Sequence, residues 1–241
     1  MQARNKILIA LLCLCVGAKA QTGNTMSSYS RFGMGSLADA SSSENVSMGG
    51  TGVAMRSGDK VNMVNPASYA ACDSLTFICN LGMSLGLGRL SNGTSTQTVR
   101  NTSFDNVNAL FRIRKGLGMS VGFVPFSSIG YSFVSSNAIG SATLTQTSIS
   151  SNTTYVGDGG LRNVYAGLGW EPVKGLSVGV NIGYLWGSYN HAITQSFLED
   201  NTTSSVYDAL VTAYTAEVRS YKLDAGVQGI IPLKDNNRLV V

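Results

Sequence analysis

Large apolar and small or polar residues take turns along 176–186. Leu176, Val178, Val180, Ile182, Tyr184 and Trp186 share one face of an extended strand, and Ser177, Gly179, Asn181 and Gly183 share the other, with Leu185 breaking the rule. The same alternation runs from Leu75 through Phe77, Cys79, Leu81, Met83, Leu85 and Leu87, opposed by Thr76, Ile78, Asn80, Gly82, Ser84, Gly86 and Gly88, with Ile78 the apolar exception. It runs again through Leu117, Met119, Val121 and Phe123 against Gly118, Ser120 and Gly122. Incoming partners obey it as well: Val107, Ala109, Phe111 and Ile113; Val164, Ala166, Leu168 and Trp170; Tyr221, Leu223, Ala225 and Val227. Each pair of strands meets at a short turn containing Lys115, Lys174 or Lys234, spaced 59 and 60 residues apart. The pattern predicts an all-β, antiparallel meander of seven strands, or eight if an additional hairpin lies within 139–156.

Two architectures satisfy this alternation. One is a secreted sandwich with one solvated face; the other is a transmembrane antiparallel β-barrel whose apolar face meets lipid. Strand length favours the barrel, because 75–87 holds seven consecutive apolar positions on one face, more than a strand of ordinary soluble length provides. Ten steps from Leu176 to Trp186 span roughly 33 Å, or about 24 Å of height at a tilt near 45°, which matches an outer-membrane apolar band. Trp170 beside a short turn, and Tyr184, Trp186 and Tyr189 at the other end, suit the two aromatic girdles. The connections at about 89–104, 135–160 and 189–217 are rich in Ser, Thr and Asn and read as long outer loops, with a short helix compatible with 205–218.

Composition agrees. Only 12% of the residues are charged, Gly numbers 28, and no stretch after the first residues reaches 18 consecutive apolar positions, which excludes helical membrane spans. Residues 1–20 carry Arg4 and Lys6, an apolar run from Ile7 to Val16, then Ala18-Lys19-Ala20, the order of a cleavable secretory signal. Removing it lowers the formal charge from +4 to +1, with 14 basic residues against 13 acidic, so the calculated basicity does not point to nucleic acid. Cys72 and Cys79 read as structural thiols. One histidine, His191, falls just past a strand end and reads as a solvated loop residue. Neither a catalytic set, a metal-ligand cluster nor a cofactor-binding motif emerges, so the chain is expected not to be an enzyme.

Residues 21–73 do not alternate and contain no long apolar run, so they read as an exposed linker or as a plug packed inside the barrel formed by 74–241. Within this segment Asn65-Pro66-Ala67 follows the Gly-rich Met48-Gly49-Gly50-Thr51-Gly52 and precedes an apolar strand. Together with GFVPFSSIGY, GDGGLRNVYAGLGWEPVKGLSVG and YLWG, it resembles the N-terminal half of the FadL-type outer-membrane transporters of long-chain fatty acids and other hydrophobic compounds, in their Bacteroidetes form. That resemblance implies a 14-stranded barrel in the bacterial outer membrane, an N-terminal hatch bearing Asn65, Pro66 and Ala67, and passive uptake of a hydrophobic small molecule such as a fatty acid. It also implies sideways release into outer-membrane lipid at a kinked third strand. Here that strand contains Pro125 and Phe126, where the missing N–H suits a kink or a plain bulge. Arg112, Arg114, Lys222, Asp224 and Gln228 fall on the inward register and are candidates for a polar network holding the hatch. The alternative is a barrel of the same shape acting as a structural or interaction partner of secretion machinery or as a surface anchor, or a non-transporting truncated remnant.

Overall fold

A computed structural model of the 241-residue chain describes residues 27–38, 41–73, 77–91, 93, 96–142, 147–199, 209–233 and 238–241. The expected signal, residues 1–20, lies outside them. The architecture is an open, curled antiparallel sheet, a half-barrel in which each long strand pairs with the next: β2 (Phe77–Ser91), β3 (Thr96–Arg114), β4 (Leu117–Ala142), β5 (Thr147–Val173), β6 (Leu176–Glu199), β7 (Leu210–Pro232) and β8 (Arg238–Val240). A two-residue strand, β1 (Ser36–Leu37), pairs with the middle of β4 instead.

Alternation sorts the side chains as the sequence predicts. Ser177, Gly179, Asn181, Gly183 and Leu185 are buried on the concave face, while Leu176, Val178, Val180, Ile182 and Tyr184 are exposed on the convex one, Ile182 at 61%. Leu85 and Leu87 on β2 and Tyr221 and Leu223 on β7 are likewise exposed. A sheet whose large apolar side chains point outward and whose glycines and asparagines point inward is inverted relative to a water-soluble one.

The long outer loops expected at 89–104, 135–160 and 189–217 are mostly strand. β2 and β3 run to Ser91 and from Thr96, β4 and β5 to Ala142 and from Thr147, and β6 continues to Glu199. Ser- and Thr-rich sequence hides such ribbons, because neither face is buried in a core and no apolar stripe marks them. Ile149–Ser151 belong to β5 rather than to an added hairpin, and 210–218 belong to β7 rather than to a helix; 205–208 lie outside the described residues.

β3 and β4 pair only over Val107–Arg114 and Leu117–Phe123. Beyond Phe123 the register of β4 on β5 shifts between Pro125 and Ser127. The burial pattern changes parity with it: Ser120 and Val124 are buried before the shift, Ser127, Ile129 and Tyr131 after it. The absent proline N–H costs nothing at such a bulge. Gly160 and Gly187, at φ +154° and +155°, lie on adjacent rungs of the β5–β6 ladder, Gly160 opposite Ser128 and Ser188 and Gly187 opposite Leu161, one step from the β4 bulge.

Residues 41–73 lie on the concave face. A five-residue helix, α1 (Ser43–Ser47), is capped by Ser42 Oγ, which accepts from the Asn45 N–H. A 3₁₀ turn over Pro66–Ala71 packs against β4, β5, β6 and β7. The segment has no core of its own. Val61, Met63, Tyr69 and Cys72 share one with Leu110 of β3, Val124 of β4 and Tyr165 of β5.

Candidate functional site

The concave face and the segment filling it bring together a set of mutually bonded polar groups. Asn65 begins the 3₁₀ turn: its Oδ1 accepts from the Ala67 N–H at 3.1 Å, Pro66 needs no partner at the first position, and Ala67 is fully buried. The Asn65 amide then donates outward, to Val53 O at 2.9 Å and to Val227 O of β7 at 3.2 Å. One side chain thus shapes the turn and fastens it to the wall. Asn62 does similar work inside the segment, donating to Gly52 O and Met55 O and accepting from Val64 N–H and Asn45 Nδ2.

The wall beneath this turn is made of glycine because backbone meets backbone there. A Cβ on Gly169 would lie 2.6 Å from Pro66 O and 2.8 Å from Ala70 N. One on Gly179 would overlap Pro66 and Ala67, and one on Gly118 the Tyr69 carbonyl. Gly118, Gly169, Gly179 and Gly226 therefore form a cradle shaped to the 65–70 turn.

Charge locks the other side. Arg56 Nη2 meets Glu171 Oε2 at 2.9 Å, and its Nη1 donates to Ser177 Oγ at 2.7 Å and Gln228 Oε1 at 3.4 Å. Glu171 Oε1 accepts from the Gly175 N–H of the β5–β6 turn at 2.9 Å, so one carboxylate ties the filler to a wall hairpin. Gln228 Nε2 completes the arrangement with bonds of 3.1 Å to Val53 O and Met55 O. Tyr69 is fully buried beside Tyr165, and burial pushes its phenol well above its usual range. Burial also raises the Cys72 thiol, with the Asp73 charge adding to it.

Of the inward candidates, Gln228 is the one that bonds the filler. Lys222 and Asp224 pair with each other at 2.7 Å, half-exposed; Arg112 lies near Cys72; Arg114 sits at the β3–β4 turn, exposed. Pro125 and Phe126 stand at the bulge, where Phe126 O accepts from the Ala38 N–H at 2.8 Å. Sequence reasoning missed Arg56, Glu171 and Ser177. The register did carry a signal: Glu171 continues the inward series Gly167, Gly169, and an acid there needs a cation. His191, expected in a solvated loop, is instead buried within β6 with Nδ1 against the Tyr131 hydroxyl, because β6 extends past the expected strand end.

What this arrangement does is hold. Among the described residues no three His, Cys, Asp or Glu side chains gather to bind a metal ion, and the polar atoms named above face each other rather than an open cleft. No curated protein and no solved structure matches the chain. The sequence profile described as BamG, however, matches residues 3–241.

That match overturns the resemblance to FadL-type transporters, and with it passive uptake and sideways release of long-chain fatty acids as the function and a fatty acid as the ligand. The likeness rests on short, Gly-rich segments whose residues have a packing role here: glycine where backbones touch, as at Gly169 and Gly179, and Asn65-Pro66 where a turn is capped. The protein is not an enzyme, and it resides in the outer membrane. The chain belongs to the BamG family, whose members are components of the outer-membrane BAM assembly complex.

Proposed function

We propose that this chain supplies wall and filler of a transmembrane β-barrel that serves the assembly complex as a structural and interaction subunit, not as a conduit. In this reading residues 1–20 are the cleaved secretory signal, 21–73 the plug, and 74–241 antiparallel wall strands facing outer-membrane lipid. The observation that carries it is the pairing of an exposed apolar convex face with a concave face occupied by the chain's own turn in a glycine cradle. Lipid-facing strands must have every backbone group paired, so the outer edge of β2, and that of β7 beyond its three-residue pairing with β8, require further strands than the described ones to complete the wall. Gln228, Asn65, Pro66 and Ala67 hold the plug; Arg112, Arg114, Lys222 and Asp224 lend the interior its polarity.

A plug fixed by a buried ion pair and backbone-to-backbone packing is poorly suited to rapid displacement by a passing solute. It is well suited to giving the wall a stiff, defined shape against which other subunits dock. Two measurements test this on the full protein. In planar bilayers it is expected to show no stable conductance, and its depletion is expected to lower the levels of other outer-membrane barrels while fatty-acid uptake stays unchanged. A conducting pore in the intact protein, or barrel levels indifferent to depletion, would overturn the reading.

A further inference from the structure

The plug leaves one structural feature unexplained, the seam where β3 departs from β4. Past Phe123, β3 no longer pairs with β4, and among the described residues the only strand on that side of β4 is β1. An unpaired strand edge inside a folded protein is a template for another strand. Here the chain covers it with the smallest cover possible: Ser36 opposite Ser128 and Leu37 opposite Ser127, antiparallel, with the Ala38 N–H on Phe126 O. Ser30 Oγ accepts from the Gly130 N–H at 3.3 Å, so side chain stands in for backbone one step further along.

The approach to this seat is built for it. Gly35 has φ +89°, and a Cβ there would lie 2.6 Å from Ser128 O and against Ile129, so glycine alone lets the segment reach the edge. Its hold is narrow: Ser30 is buried and Arg31 lies over the Tyr155 ring, while the apolar side chains stay out. Tyr29, Phe32, Met34 and Leu37, its large apolar side chains, are exposed rather than packed.

We propose that the β4 edge from Pro125 outward is a strand-accepting site, that residues 36–38 are its resident guard, and that its occupant in the assembled complex is an extended polypeptide segment of a partner protein, added antiparallel. The proposal rests on the assembly-subunit reading and names the kind of contact it makes. Recognition comes from backbone N–H and C=O groups, and the small Ser127 and Ser128 side chains admit varied sequences.

The test uses the full chain in detergent with Cys79→Ser in the background, and a labelled synthetic peptide, FGMGSLA, copying residues 32–38 as the probe strand. Ala38→Pro removes the guard's N–H to Phe126 O. The pair Leu37→Cys and Ser127→Cys, opposite each other in register, is placed to form a disulfide that pins the guard. Because a seated guard lowers the fraction of open edge, Ala38→Pro is expected to bind the peptide about tenfold more tightly than the parent. The oxidised pair is expected not to bind it, with binding restored by reductant. Equal affinity in all three proteins, or binding unaffected by oxidation, would overturn the proposal. Native electrophoresis of the same proteins reports membership of the assembly complex separately. Loss of the parent from that complex would sink the subunit reading whatever the peptide does, while intact membership with no peptide binding sinks the guard alone.

Discussion

Arg56→Ala is the sharpest perturbation of the concave face. The guanidinium is 9% exposed and its partner Glu171 23% exposed, so the pair is largely out of water. Truncation removes one ion-pair contact of 2.9 Å and a bond of 2.7 Å to Ser177. It leaves the Glu171 carboxylate with the Gly175 N–H. Breaking a buried pair from one side costs about 3–5 kcal/mol, and the residual access of water to Glu171 sets the value near the lower end, about 3 kcal/mol. That energy holds filler against wall, not strand against strand, because the β5–β6 ladder pairs independently of Arg56. The expected result is therefore local: amides of the 65–72 turn, such as Ser68 and Cys72, exchange with deuterium roughly 100-fold faster, while amides of β5 and β6 keep their protection. Glu171→Gln in the Arg56→Ala background is expected to recover part of the loss, since the stranded charge is gone. Unchanged exchange in the turn, or an equal loss throughout the strands, would refute the lock.

Other positions make independent predictions. Gly179→Val drives a side chain into Pro66 and Ala67, and is expected to cost about 1–3 kcal/mol or more and to open the buried Cys72 to maleimide. Leu110→Ala empties a fully buried site between filler and wall and is expected to cost about 2–5 kcal/mol in denaturant titration. Tyr69→Phe is expected to be neutral or stabilising by about 1 kcal/mol, because the buried hydroxyl meets no hydrogen-bond partner in bonding geometry. Burial raises the folded Tyr69 phenol well above its usual value of 10.0, so its contribution is fully present below that value and is lost as pH rises past it, when the opened state ionises first. Tyr69→Phe is expected to flatten this alkaline decline; an unchanged profile in pH-dependent exchange would assign the decline elsewhere.

The sequence made the wall legible because a period of two is a strong signal where one face is greasy. Val178, Val180 and Ile182 against Gly179, Asn181 and Gly183 announce both strand and register. It made the ribbons illegible for the opposite reason: Thr153 and Thr154, or Thr194 and Gln195, extend β5 and β6 without an apolar stripe to betray them. The filler stayed half-legible. Asn65-Pro66 reads as a capped turn from local rules alone, whereas the Arg56–Glu171 pair joins residues 115 apart that no local rule connects.

The level of the β4 bulge ties these pieces together. At one level of the half-barrel stand the Pro125 bulge, Gly160 and Gly187, and at that level β3 leaves β4 while β1 arrives. Below it the concave face is glycine and asparagine filled by residues 41–73. Above it the inward positions turn aromatic, with Tyr131, Phe133 and Tyr155 in ring contact and Arg31 at 3.9 Å over the Tyr155 ring. Arg31 and Ser30 belong to the same short segment that delivers β1. The contact of Arg31 with Tyr155 gives the guard a second hold, separable from the β1 pairing. Arg31→Ala is accordingly expected to raise peptide affinity in the same direction as Ala38→Pro but less, because a cation over a half-buried ring contributes about 1 kcal/mol, several-fold in affinity at most. Affinity equal to the parent's would mean that the guard is held by its backbone bonds alone.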